Sequence, residues 1–230
     1  MRRREEKHDY VIKAVGNPGD EQQYYDKVIT SLFKQVFGLS LKTRFLDKRK
    51  TYGFQISSKQ LVTYLIEYVG LPESPKYEHM RIPSPFKKDE ILLAAFVRGV
   101  FDTDGCISFK RRHKENPYYP VLSIRSKSAS FIRELQGALR TLGLEAPSVL
   151  DYKLKDDRME NGFCLTSSLA LSGHANLAAW LSIIGSWHPK HGEKILTYGR
   201  EESRRRVRAA ICVAGAQPVC TLTQGWPMAE

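Results

Sequence analysis

This 230-residue chain writes one run of elements twice, and a duplicated unit limits the possible folds more than any single motif does. Apolar spacing predicts a helix over Tyr24 to Phe37 running into Gly38-Leu39, then short strands over Lys42 to Lys48 and Tyr52 to Ser57. A second helix, Lys59 to Val69, leads to Gly70-Leu71-Pro72 and to Ser74-Pro75-Lys76. The order then returns: a helix over Ser130 to Leu142 ending at Gly143-Leu144, strands over Val149 to Lys155 and Gly162 to Ser168, and a helix over Ala175 to Ile184. Gly185-Ser186-Trp187-His188-Pro189-Lys190 follows it. Gly then Leu at both first-helix ends is the composition of a left-handed carboxy-terminal cap. The phrases Tyr52-Gly53-Phe54-Gln55-Ile56-Ser57-Ser58 and Asn161-Gly162-Phe163-Cys164-Leu165-Thr166-Ser167 match in position and pattern.

Pro83-Ser84-Pro85-Phe86 separates the copies. The helix after it, Asp89 to Phe101, has no counterpart in the first copy. The second copy continues with strands over Cys106 to Arg112 and Tyr118 to Lys127. The first shows only the tail of the former, Arg2 to Glu5, and the whole of the latter, Tyr10 to Val15. The expected organisation is a truncated repeat over residues 1–82, a linker over 83–88, a complete repeat over 89–203 and a basic, then irregular, tail over 204–230. The expected class is α+β.

Lys and Arg number 36 against 25 Asp and Glu, a formal charge of +11. That surplus points to a polyanionic partner, nucleic acid before acidic membrane. A hydrophobic share of 42% argues against a mostly disordered chain. No apolar run approaches the roughly 20 residues of a membrane span, and no amino-terminal stretch reads as a secretion signal. Cys106, Cys164, Cys212 and Cys220 form no Cys-x-x-Cys pair, which argues against zinc and against a disulfide framework. The expectation is a reduced protein of the cytosol, an organellar matrix or a nucleoid, neither secreted nor membrane-bound.

The segment that carries chemistry is Phe96-Val97-Arg98-Gly99-Val100-Phe101-Asp102-Thr103-Asp104-Gly105-Cys106-Ile107. A helix here ends in two acids, which oppose its dipole at roughly 0.3–1 kcal/mol each. A bound divalent cation would justify them, since hard cations prefer oxygen ligands. Asp-x-Asp-Gly alone is also a common turn, and the remaining ligands of a calcium loop are absent. Leu92, Ala95, Phe96 and Gly99 form one face of the helix, and Leu93, Val97 and Val100 another. The small pair Ala95 and Gly99 lets a second helix approach closely.

Val97 to Gly105 resembles the LAGLIDADG motif of homing endonucleases, with Gly99 at its first glycine and Asp102, Asp104 and Gly105 at its acidic end. Cys106 to Phe109, Ser126 to Leu135, and Ile183 to Ser186 with Pro189-Lys190-His191 and Glu193-Lys194 are similar to that family as well. The likeness spans about Tyr10 to Lys194. It implies two pseudo-symmetric αββαββα repeats whose saddle-shaped antiparallel sheets lie over the DNA major groove. It also implies two motif helices packed at the pseudo-twofold axis, each giving one aspartate to a metal, Mg²⁺ or Mn²⁺, beside a scissile phosphate. Carried over, Asp104 with Gly105 is the metal-binding position, Asp102 is structural, and Lys190 and Lys76 stand at the basic active-site positions of the two repeats. A solvated loop charge is the alternative for each lysine. The implied activity is site-specific double-stranded DNA cleavage, as in mobile genetic elements. The alternatives are a DNA-binding relative that does not cut and an RNA maturase.

The sequence departs from the family in one respect: no first motif helix precedes Arg2. Three readings follow: a misplaced start, a degenerate fragment, or a helix supplied by another chain, including a second copy. Strand alternation divides the sheet residues into two faces. Ile107, Phe109, Leu122, Ile124, Leu150, Tyr152 and Leu154 are expected to face in. Ser108, Lys110, Arg112, Ser123, Arg125, Lys127, Lys153 and Lys155 are expected to face out, with Lys13, Lys42, Arg44 and Gln55 doing so in the first repeat. Those outward side chains suit phosphates and base edges, although a solvated sheet face is polar too. Asp151 is the acidic exception. His188 and His191 read as loop histidines rather than zinc ligands.

Overall fold

The computed structural model describes residues 10–73, 79–111, 118–157 and 159–213, the side chains of residues 202 and 204–213 excepted. Lys76, Arg112 and the segment Arg2 to Glu5 lie outside the described residues. Strand β1 (Val11–Gly16) leads through the Asn17 cap into helix α1 over residues 18–37. Asn17 accepts the Gly19 N–H at 2.9 Å, and Pro18 sits at the first turn, where no intrahelical partner is missed. A π turn at Tyr24–Ile29 interrupts α1. Strands β2 (Arg44–Leu46) and β3 (Thr51–Ser57) follow, then α2 over residues 59–68, capped by Ser58.

After a 3₁₀ turn at Ser84–Lys88 comes α3 (Glu90–Asp104), whose Asp89 cap accepts the Ile91 and Leu92 N–H groups. Next are β4 (Gly105–Lys110), β5 (Tyr119–Ser126), α4 (Ala129–Thr141), β6 (Ser148–Lys155), β7 (Phe163–Ser172), α5 (His174–Ile183) and α6 (Pro189–Val213). Residues 1–194 form one compact unit. Residues 195–230 form another, and there the backbone is helical to Val213, past Arg204, where the basic, then irregular, tail was expected to begin.

Both sheets are antiparallel, ordered β1-β3-β2 and β4-β5-β7-β6. The mixed helix and antiparallel-strand class expected from the sequence is thus observed. Each sheet covers one face with helices. In the first repeat Ile12, Tyr52 and Phe54 pack with Tyr25 of α1 and with Leu61 and Val62 of α2. In the second, Ile107, Leu122, Ile124, Leu169 and Leu171 meet Phe131, Leu135 and Leu139 of α4 and Leu177 and Trp180 of α5, all 3% exposed or less. Burial at roughly 25 cal/mol per Å² makes these two layers the main favourable term for each repeat. Gly38 and Gly143 both adopt the left-handed backbone, at φ 67° and 77°. Leu39 N–H bonds Phe33 O, and Leu144 N–H bonds Leu139 O, closing both caps as the Gly-Leu pattern predicts.

Two strand-level expectations change. The matching phrases at 52–58 and 161–167 are not structural equivalents. Val11 pairs with Ser57 and Val121 with Ser172, so Ser57 corresponds to Ser172, because β7 extends four residues beyond the expected Ser168. The second change lies in β6. The register moves from Val149↔Ser168 to Tyr152↔Thr166, three residues on one strand against two on the other, with Asp151 in the left-handed region at φ 50°. This bulge flips every later side chain. Tyr152 and Leu154 therefore share the outward face with Ser168. Lys153 and Lys155 pair with Leu165 and Phe163 on the opposite face, where the Lys153 ammonium sits 4.5 Å over the Phe163 ring.

Candidate active site

Helix α3 buries Leu93, Val97 and Phe101 at four-residue spacing, which sets the orientation of its last turn. Asp102 and Asp104 are two residues apart, about 200° around the helix at 3.6 residues per turn, so they leave it on opposite sides. Asp102 is 4% exposed. Its carboxylate accepts from the Ser186 hydroxyl and from the Trp187 N–H, at 3.1 Å on Oδ2, and lies 3.9 Å from His191 Nδ1. One turn back, the Arg98 guanidinium stacks 3.6 Å over the Trp187 ring. Asp102 thus binds the loop after α5 to α3, the structural part the resemblance implies.

Asp104 is exposed. It lines a cavity of about 250 Å³ with Val100, Arg125, Ser126, Lys127, Phe131 and Thr166. The Thr103 hydroxyl lies 3.1 Å from its Oδ2. The next residue must be glycine for space: a Cβ on Gly105 would stand 2.4 Å from the Phe101 carbonyl and 2.3 Å from its ring. That close approach turns the chain from α3 straight into β4, with the exposed Asp104 on the lining of the cavity. A carboxylate that shares a cavity lining with an arginine and a lysine is a setting for a phosphate with a cation, where fixed charges act without reorganising.

Asp104, Arg125 and Lys127 are therefore brought together, whereas Lys190 faces elsewhere. Its ammonium pairs with Asp20 Oδ2 at 2.6 Å and holds the Asp20 carboxyl below the ordinary carboxylate range. It lines a separate cavity with Asp26 and Glu193. Sequence reasoning missed Glu21. Its Oε2 occupies the place a Cβ on Gly16 would take, and burial, then the charges of Asp104 and Asp20, push its carboxyl upward. Nothing local distinguishes Glu21 from an ordinary acid of a helix first turn. Thr166 and Ser126 were also missed as cavity residues, since β5 and β7 meet only through the fold.

On the outward face of the second sheet lie Ser108, Lys110, Ser123 and Arg125, continued by Lys127 just past β5. On the first, Lys13 pairs directly with Gln55, and Arg44 sits opposite Gly53 on the same face. Lys42 is exposed ahead of β2 rather than within it. Asp47 also approaches this surface, 2.6 Å from Lys13, a neutralising acid that strand alternation alone does not show. On α3, Gly99 is exposed with open space at its Cβ position, Ala95 is half-buried, and Ile91 and Leu92 are 80% and 46% exposed. Among the described residues no group of three or more His, Cys, Asp or Glu side chains is placed to hold a metal.

Residues 92–185 match the family described as LAGLIDADG-like domain. The matched residues contain α3 from Leu92 onward, all four strands of the second sheet, α4 and α5, and end at Gly185 just after α5. Solved structures are similar in fold to most of the chain. The homing endonuclease I-DmoI in complex with DNA and Ca is 14% identical with a TM-score of 0.51, covering 82% of this chain and 84% of that one. I-DmoI in complex with DNA and Mn is 15% identical with a TM-score of 0.50, covering 82% and 88%. A double mutant of I-SmaMI is 10% identical with a TM-score of 0.48, covering 89% and 85%. Among curated proteins none matches this chain.

Proposed function

We propose that this chain binds double-stranded DNA on the outward faces of its sheets and hydrolyses a phosphodiester bond at the tip of α3. The observation that carries the reading is the exposed Asp104 carboxylate on a cavity that Arg125 and Lys127 also line. The donor set fits a hard divalent cation, Mg²⁺ or Mn²⁺, only if substrate completes it: Asp104 offers carboxylate oxygens, and DNA phosphates supply the rest. Such a cation would stabilise charge on the phosphoryl group and generate hydroxide from water. Arg125 and Lys127 orient the phosphate and offset its charge, and Phe131 and Val100 wall the site from bulk water. Asp102, Ser186 and Trp187 fix the end of α3. The α3 face of Leu92, Ala95 and Gly99 receives a second helix from another copy of the chain. Sedimentation with and without Gly99→Gln tests that, the variant favouring monomer.

The test of cleavage is a supercoiled plasmid carrying a binding site selected from random DNA, incubated with Mg²⁺ or with EDTA. Nicked product in Mg²⁺ alone, lost in Asp104→Asn with binding retained, is expected. Equal cutting by both proteins defeats the assignment. A DNA-binding protein that does not cut is the second reading, favoured by Lys190, which is held by Asp20 away from the Asp104 cavity. Tight binding without nicking in either Mg²⁺ or Mn²⁺ decides for it.

A further inference from the structure

A buried group of polar side chains joins the two repeats behind the tip of α3, on the side away from the Asp104 cavity. Tyr24 comes from the π turn of α1, Asp102 from α3, Ser186 from the loop after α5, and His188 and His191 from the start of α6. Tyr24, Asp102, His188 and His191 are each 5% exposed or less. The Tyr24 ring stacks on His188 with centroids 4.8 Å apart and planes 18° apart. The two imidazoles lie 5.2 Å apart, and Phe101 closes the far side of His191 at 4.8 Å. The adjacent Tyr25 turns into the first-repeat core, so the π turn directs two neighbouring rings to two different layers.

Donor counting assigns the protons. A carboxylate only accepts, so the Ser186 hydroxyl directs its one hydrogen to Asp102. Ser186 Oγ, 2.9 Å from His191 Nδ1, must then accept from it, so the His191 proton is on Nδ1. His188 is wired the other way. Its Nδ1 accepts the Lys190 main-chain N–H at 3.1 Å, so its neutral ring carries the proton on Nε2. A second proton on His188 has only Nδ1 to occupy, and there it points at a donor.

We propose that this cluster is an acid-released joint: protonation of His188 at Nδ1 expels the Lys190 N–H, opens the first turn of α6 and frees Tyr24 from its stack. His191 and Lys190 face His188 and oppose a second positive charge, Asp102 and Asp20 favour it, and Tyr24 contributes a neutral ring. Burial first, then His191, holds the His188 imidazole below its ordinary value. The unfolded chain therefore takes up the proton before the folded one does. The contribution is full above about pH 6.5 and is lost as pH falls through the folded value.

Two measurements on the full chain test this. One is an NMR titration of the histidine ring resonances. The other is the melting temperature from pH 8 to 5 for the natural chain and for His188→Asn, whose Oδ1 can accept the Lys190 N–H but takes no proton. The expected result is a His188 signal that titrates below free imidazole. The natural chain should also lose at least about 3 °C more than His188→Asn between pH 7.5 and 5. A His188 signal titrating at or above free imidazole, or parallel melting profiles, overturns the proposal. Should His188→Asn fail to fold, the NMR titration of the natural chain decides alone.

Discussion

Strand for strand, β1, β3 and β2 of the first repeat correspond to β5, β7 and β6 of the second, and the register agrees: Ile12 faces Ile56 as Leu122 faces Leu171. Both repeats set two helices against the same face of the sheet. They differ at the edges. The described second repeat adds α3 and β4, lengthens the third shared strand from seven residues to ten, and bulges β6, whereas the β2–β3 pairing runs without a shift. The shared part is scaffold. Asp104, the acid with access to a basic cavity, stands on an element that the described first repeat does not contain. Duplication has kept the packing layers, where volume and alternation must be preserved, and the acid on the basic cavity belongs to the unshared helix.

Five substitutions would break or sharpen that contrast. Phe101→Ala, which empties the contact among α3, Trp180 and His191, is expected to cost about 3–5 kcal/mol in chemical denaturation. A loss confined to cleavage, with stability kept, would show that α3 is not part of the second core. Asp104→Asn is expected to lower cleavage about 100-fold or more with an unchanged melting temperature, given the typical weight of one charge-stabilising group. Asp102→Ala reverses that balance. It leaves the Trp187 N–H and Ser186 hydroxyl without their acceptor at about 1–3 kcal/mol, read as a lowered urea midpoint. The smallest effect separates the faces of the second sheet. Arg125→Ala should weaken DNA binding and reduce the salt slope by about 1, while Lys153→Ala, turned away by the bulge, should leave both unchanged. Equal losses in a salt titration would put Lys153 back on the binding face.

Much of the fold was legible along the chain because its signals are local. The Gly-Leu caps at Gly38 and Gly143, the alternation of Ile107 with Ser108 and of Leu122 with Ser123, and the Asp-Gly end of α3 each depend on a few adjacent residues. The site was legible in part. Asp104 and its basic neighbours Arg125 and Lys127 were all named, but nothing in the spacing showed that they line one cavity, or that Asp20 engages Lys190. Facing was misread where one residue made the difference: Asp151 adopts a left-handed backbone, and from there Tyr152, Lys153, Leu154 and Lys155 exchange sides.

Sequence alone determined that the chain is a duplicated α+β protein with a basic surface and an acidic helix end, because periodicity, charge and caps are properties of neighbours. Tertiary structure alone decided that Asp102 is a buried acceptor while Asp104 faces a cavity. It also decided that Tyr24, Ser186, His188 and His191 close around Asp102. Those outcomes depend on which distant groups can satisfy a buried carboxylate, and hydrogen-bond partners 84 residues apart leave no mark in the local pattern.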